Sequence, residues 1–170
     1  VISAGIIPGG MEMMDTFAIR AAEDFVHAGY PLNVAALLII ELDGPAVEVD
    51  HLIEKVTNIA ENVGAIHIKI SSSEAERERF WSGRKAAFPA VGRISPDYIC
   101  MDGTIPRNKL SFVLNELAAL SESYGLRCAN VFHAGDGNLH PLILYNNENP
   151  EEVVKSHLIG EEILSSCIRH

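Results

Sequence analysis

Val131-Phe-His-Ala-Gly-Asp-Gly-Asn-Leu-His-Pro141 is the stretch on which the reading of this chain turns. It reads as two strands joined by a glycine-rich turn. Asp136-Gly137 is a strong signal for a two-residue hairpin loop, because such a turn needs positive φ at both central positions. If those residues form the loop, Gly135 pairs with Asn138, Ala134 with Leu139, and His133 lies directly opposite His140. Opposed residues on one sheet face have Cβ atoms roughly 4.5–5.5 Å apart. At that spacing two imidazoles can share one metal ion, and zinc or a similar divalent cation accepts such a pair. Two ordinary strand histidines would give the same spacing.

Outward from this hairpin, helices and strands alternate. Asn149-Pro150 opens a last helix bearing Val154, Leu158, Ile163, Leu164 and Cys167. Before the hairpin, Pro106 suits the first turn of a helix carrying Leu110, Val113, Leu114, Leu117 and Leu120, with Gly125 as terminator. Residues 97–102 read as a strand. Ser73-Glu-Ala-Glu76 has the spacing of a capping box and opens another helix. Residues 65–70 alternate, with Ile66, Ile68 and Ile70 on one side and His67 and Lys69 on the other, as in a half-covered strand. Val49, Leu52, Ile53, Val56, Ile59, Ala60 and Val63 follow a 3.6-residue period that stops at Gly64. Residues 35–42 read as a buried strand. Asp15 can cap a helix with Ala18, Ala22 and Phe25 inward, ending near Gly29. This order predicts an α+β sandwich with helices on one face of a mostly antiparallel sheet.

The bulk numbers fit one domain with a real core: 170 residues, 48% hydrophobic and 21% charged. No apolar run reaches the roughly 18 residues of a membrane span. The net charge of −10, without a basic stripe, argues against a nucleic-acid partner. Cys100, Cys128 and Cys167 form neither a CxxC pair nor an even disulfide set, and read as buried reduced thiols of a cytoplasmic protein. The chain begins at Val1 and reads as a domain truncated at both ends.

Arg84 stands out among the polar residues. Phe80, Arg84 and Phe88 are four residues apart and share a helix face. An arginine between two aromatics on a core-facing stripe needs an anionic partner. That partner is either a substrate carboxylate held by the guanidinium fork, or Asp97, Asp102 or Glu41 of the chain itself. Asp136 and Asn138 both suit hairpin turns, and Asn138 could also hydrogen-bond a bound cofactor or substrate. Glu12 and Asp15 read as structural, Asp15 as the helix cap.

Five stretches together resemble the C-terminal, substrate-side domain of the FAD-linked oxidase family, which includes D-lactate and D-2-hydroxyglutarate dehydrogenases. They are Gly5-Ile-Ile-Pro-Gly-Gly-Met-Glu-Met-Met-Asp15, Phe80-Trp-Ser-Gly-Arg-Lys-Ala-Ala-Phe88, Gly92-Arg-Ile-Ser-Pro-Asp97, Met101-Asp-Gly-Thr-Ile-Pro106 and Asn130-Val-Phe-His-Ala-Gly-Asp-Gly-Asn-Leu-His-Pro141. They run in family order over nearly the whole chain, and the likeness is strongest to the glycolate oxidase branch. The resemblance implies a ferredoxin-like arrangement and FAD bound mainly by an N-terminal domain. It implies Arg84 as the grip on a substrate carboxylate, and a divalent metal on His133 and His140. It further implies a third ligand and a base from a Gly-Glu-His-Gly segment beyond His170. Relatives also use a lysine where this chain has Cys100, so the resemblance carries no second cationic contact to that position.

The expected function is therefore part of an FAD-dependent 2-hydroxy-acid oxidoreductase that converts glycolate to glyoxylate. The expected partners are the FAD domain, the small acid and other oxidase subunits, with membrane association only through those subunits. A metal-dependent hydrolase would need a third ligand and a base within the chain. A non-catalytic module that docks oxidase subunits is the other rival.

Overall fold

The computed structural model describes residues 1–170. A strand, β1 (Gly10–Asp15), leads directly into helix α1 (Thr16–Val26). There follow β2 (Ala36–Glu41), α2 (Ala46–Asn62), α3 (Glu74–Val91), β3 (Asp97–Cys100), β4 (Gly103–Thr104) and α4 (Leu110–Tyr124). The chain closes with β5 (Cys128–His133), β6 (Asn138–Leu139), β7 (Pro141–Tyr145) and α5 (Pro150–Arg169). The class is α+β, and every strand pair is antiparallel.

β5 organises the sheet. One edge pairs with β1, which pairs in turn with β2. The other edge pairs with β6 and β7, which carry β4 and β3. Alternate residues of β5 enter different cores. Cys128 and Phe132 join Leu139, Ile143, Val113, Leu117, Ile159 and Ile163 against α4 and α5. Val131 joins Met14, Ala18, Ile19, Ala22 and Ala87 against α1 and α3. The helices, expected on one face, therefore divide between both. The reason is visible in β7: Pro141, Leu142, Ile143 and Leu144 are all buried, the pattern of a strand covered on two sides.

The local signals acted mostly as their chemistry requires. Asp15 Oδ1 accepts from Ala18 N at 3.0 Å, capping α1. The helix ends earlier than expected, with His27 in the left-handed region at φ 53°. Glu23 then takes the free backbone N–H groups of Gly29 and Tyr30. Ser73 caps α3, and Asn149 caps α5 just before Pro150. Cys128 is buried and its thiol is pushed up to about 12 by desolvation, but Cys100 is exposed rather than buried. No helix is long and apolar enough to cross a membrane.

One region departs from expectation. Helix α2 forms, yet none of its residues is buried. Residues 65–70 form no strand, and Ile66, Ile68 and Ile70 are exposed. Alternation selects a face only when a neighbouring strand supplies the hydrogen bonds, and residues 65–70 have no such neighbour.

Candidate substrate and metal site

The β5–β6 connection is longer than a two-residue turn. His133 pairs with Asn138, not with His140, so Ala134, Gly135, Asp136 and Gly137 make a four-residue loop. Two observations explain the shift. Asp136 acts through its side chain, with Oδ1 accepting from Asn138 N at 3.0 Å, and its φ is not positive. Only Gly137 is left-handed, at φ 81°. A Cβ there would fall on the carbonyl oxygen of Ile105, whose N–H donates to Gly137 O at 3.1 Å. The loop is thus closed against the segment after β4.

The new register makes His133 and His140 diagonal rather than opposed, but they keep the same face. Their ring centroids lie 5.3 Å apart, with the planes at 85°. A cation about 2.0–2.1 Å from one nitrogen of each ring would set the ring centres about 5 Å apart. The spacing therefore fits a shared ion. No group of three or more His, Cys, Asp or Glu side chains in the chain forms a metal cluster.

Each ring is oriented by a neighbour. His133 Nδ1 lies 2.7 Å from Glu12 Oε1. A carboxylate only accepts, so Nδ1 carries the hydrogen and donates. In the neutral ring, Nε2 then keeps its lone pair for a ligand. His140 Nδ1 faces Asp102 Oδ1 at 3.8 Å, and its Nε2 faces Asn138 Nδ2 at 3.5 Å. Thr104 Oγ1 donates to Asn138 Oδ1 at 3.4 Å, which turns the Asn138 amide nitrogen toward His140. Phe88 of α3 stands edge-on to the His140 ring at 6.4 Å.

Arg84 reaches the same face from α3. Nε and Nη2 both meet Glu12 Oε2 at 2.9 Å. The partner is Glu12, not Asp97, Asp102 or Glu41. Both side chains are nearly enclosed, at 12% and 11% exposure, whereas His133 is 44% exposed. The guanidinium has five N–H donors, and its Nη1 group has no acceptor within the chain. α3 packs tightly on Tyr30, in the loop after α1, because residue 83 is glycine: a Cβ there would collide with the Tyr30 ring, whose hydroxyl donates to Phe80 O. A cavity of about 280 Å³ reaches Glu12 and His133 from the end of β1, with Arg107 on its wall. Arg107 Nη1 donates to Gly135 O at 2.8 Å.

Arg84, His133, His140 and Asn138, singled out from the sequence, are brought to one region by the fold. Glu12, read as structural from the sequence, joins this group as the partner of both Arg84 and His133. The available signal was an acidic residue inside an otherwise apolar strand, Gly10-Met-Glu-Met-Met14. What the group offers is an arginine edge with free donors beside two same-face imidazoles, a layout suited to a small anion that also carries a hydroxyl.

The family model described as FAD linked oxidases, C-terminal domain, matches residues 1–170. The chain is 56% identical over 168 residues to glycolate oxidase subunit GlcD of Escherichia coli, covering 99% of this chain and 34% of that protein. It is 30% identical to the protein of the same name from Bacillus subtilis, covering 36% of it. A probable mitochondrial D-lactate dehydrogenase of Danio rerio is 24% identical over 165 residues, 96% of this chain and 33% of that protein. The chain thus spans about a third of the length of these relatives. Among solved structures, p-cresol methylhydroxylase with substrate bound superposes with a TM-score of 0.61 at 14% identity, over 92% of this chain and 36% of that one. A 4-ethylphenol oxidase from Gulosibacter chungangensis gives 0.59 at 10% identity, over 92% and 37%. These two likenesses show the fold.

Proposed function

Because the chain belongs to the FAD-linked oxidase C-terminal domain family, we propose that it is the substrate side of an FAD-dependent 2-hydroxy-acid oxidoreductase whose substrate is glycolate. The observation that carries this reading is a nearly enclosed guanidinium with a free edge, on the same sheet face as two imidazoles. The name of the relatives at 56% and 30% identity supports glycolate over larger acids.

In this reading Arg84 receives the substrate carboxylate on the donors that Glu12 leaves free, and its planar fork fixes the acid's orientation. His133 and His140 hold a divalent cation with their Nε2 atoms, completed by a donor outside these residues. Such a cation supplies Lewis-acid polarisation of the substrate hydroxyl and lowers its pKa. FAD, held mainly by a preceding domain, supplies the acceptor for the hydride. Asn138 Nδ2 faces the His140 Nε2 lone pair at 3.5 Å, so it gives up that contact when the nitrogen takes the cation and is then available to hydrogen-bond the flavin or the acid. The partners are the flavin domain and the other subunits of a glycolate oxidase.

The test is steady-state kinetics on the full-length protein with Arg84→Lys. A compact ammonium cannot reproduce the fork. The expected loss in kcat/KM for glycolate corresponds to roughly 2–5 kcal/mol, with little change in melting temperature. Unchanged kcat/KM across short 2-hydroxy acids would return Arg84 to a purely structural pair with Glu12.

A further inference from the structure

We propose that Glu12 is a positioning residue that locks the carboxylate-binding fork and the cation-binding ring into one register. This inference rests on the roles given above to Arg84 and His133. Glu12 sits on β1, Arg84 on α3 and His133 on β5. One carboxylate spans all three elements: Oε2 takes Arg84 and Oε1 takes His133. The separation of its two oxygens is set by covalent geometry, so the guanidinium and the imidazole are held at a fixed offset.

That offset matters for the substrate class. A 2-hydroxy acid carries its carboxylate and hydroxyl on adjacent carbons. A receptor for both groups must keep its two recognition points at a matching distance, and small misplacements are costly in rate. Glu12 has a second effect. It accepts the Nδ1 hydrogen of His133, so the Nε2 lone pair is the one presented to a cation. Partners of this kind are known to orient metal-ligating histidines and tune their affinity. A carboxylate that served only to neutralise Arg84 would have no need of its contact with His133. Nor would the strand register be expected to set Glu12 directly across from that histidine, as it does.

The experiment uses metal-stripped, full-length protein and zinc as the probe. Glutamine at position 12 has one accepting and one donating end. Arg84 only donates, so the Gln oxygen faces Arg84 and the amide N–H₂ faces His133 Nδ1. That selects the opposite tautomer, with hydrogen on Nε2. Glu12→Gln is expected to weaken zinc binding by about 10–100-fold by calorimetry. Unchanged zinc affinity in folded Glu12→Gln would overturn the proposal. His133→Ala is the companion: if that replacement also leaves zinc affinity unchanged, the cation site itself is misplaced, and the fault lies with the underlying reading. Glu12→Asp covers the case in which the glutamine variant does not fold. Its shorter arm keeps the charge but cannot hold both partners at once. The kcat/KM preference for glycolate over 3-hydroxypropionate should then fall by about tenfold or more, and an unchanged preference would overturn the proposal.

Discussion

Glu12 and Asp15 are two enclosed carboxylates three residues apart on one strand, and they face opposite sides of the sheet. Asp15 is spent on the cap of α1 and on both donors of Asn130. Oδ1 takes Ala18 N at 3.0 Å, and Oδ2 takes Asn130 N at 2.7 Å and Asn130 Nδ2 at 3.0 Å. Glu12 is spent on side chains, Arg84 and His133, each of which has further donor or ligand capacity facing outward. The difference is in what the partners can still do. Asp15 uses up the amide donors of Ala18 and Asn130, and the one group left unpaired there, Asn130 Oδ1, is buried rather than turned outward, so Asp15 holds the fold. A guanidinium with free donors and an imidazole with a free nitrogen can bind something else, so Glu12 serves the site.

The largest expected effect removes the context of Glu12 altogether. Residues 1–170 alone should bind no FAD and oxidise no glycolate, because the proposed flavin domain and base lie outside them. Purified yellow protein with about one equivalent of flavin would contradict this.

Asp15→Ala should separate the two carboxylates. It removes an N-cap, which costs about 0.5–2 kcal/mol, and leaves the buried Asn130 donors unpaired, about 1–3 kcal/mol more. Denaturant unfolding should show a loss of about 1.5–5 kcal/mol for this domain, less the desolvation penalty that alanine does not carry. Zinc affinity and KM of the folded protein should stay near the native values. A loss of zinc affinity without a loss of stability would reverse the assignment.

A smaller effect sharpens the contrast through pH. Burial pushes the Asp15 carboxyl above its ordinary 3.8, against the opposing pull of its bonds from Ala18 and Asn130. A carboxyl raised in the folded state contributes stability that is full below the unfolded value and is lost as pH rises through the folded one. The stability gap between native protein and Asp15→Ala should therefore widen as pH is lowered from about 7 toward about 4. A gap that narrows over that range would mean that the carboxylate form is favoured by the fold.

Much of this was legible in the sequence because it is local. The cap at Asp15 and the helix face that carries Arg84 follow from spacing along one element, and the shared face of His133 and His140 survives because the loop is longer than expected by two residues, which keeps the strand alternation in phase. The hairpin length was not, since Asp136 closes the loop with its side chain and Gly137 lies against the Ile105 carbonyl, a contact from another segment. The partners of Glu12 were not legible for the same reason: they stand 72 and 121 residues away. Two-sided helix cover could have been read from the unbroken apolar run Pro141–Leu144, whereas the alternation over residues 65–70 has no strand beside it to act on.

The most direct measurement is glycolate oxidation by the full-length protein with His133 and His140 both replaced by alanine, with bound divalent metal assayed on the same sample. The two same-face imidazoles, with ring centroids 5.3 Å apart, predict loss of the metal and of most activity while the protein stays folded. Full activity after both replacements would contradict the assignment of this face as the substrate and cation site.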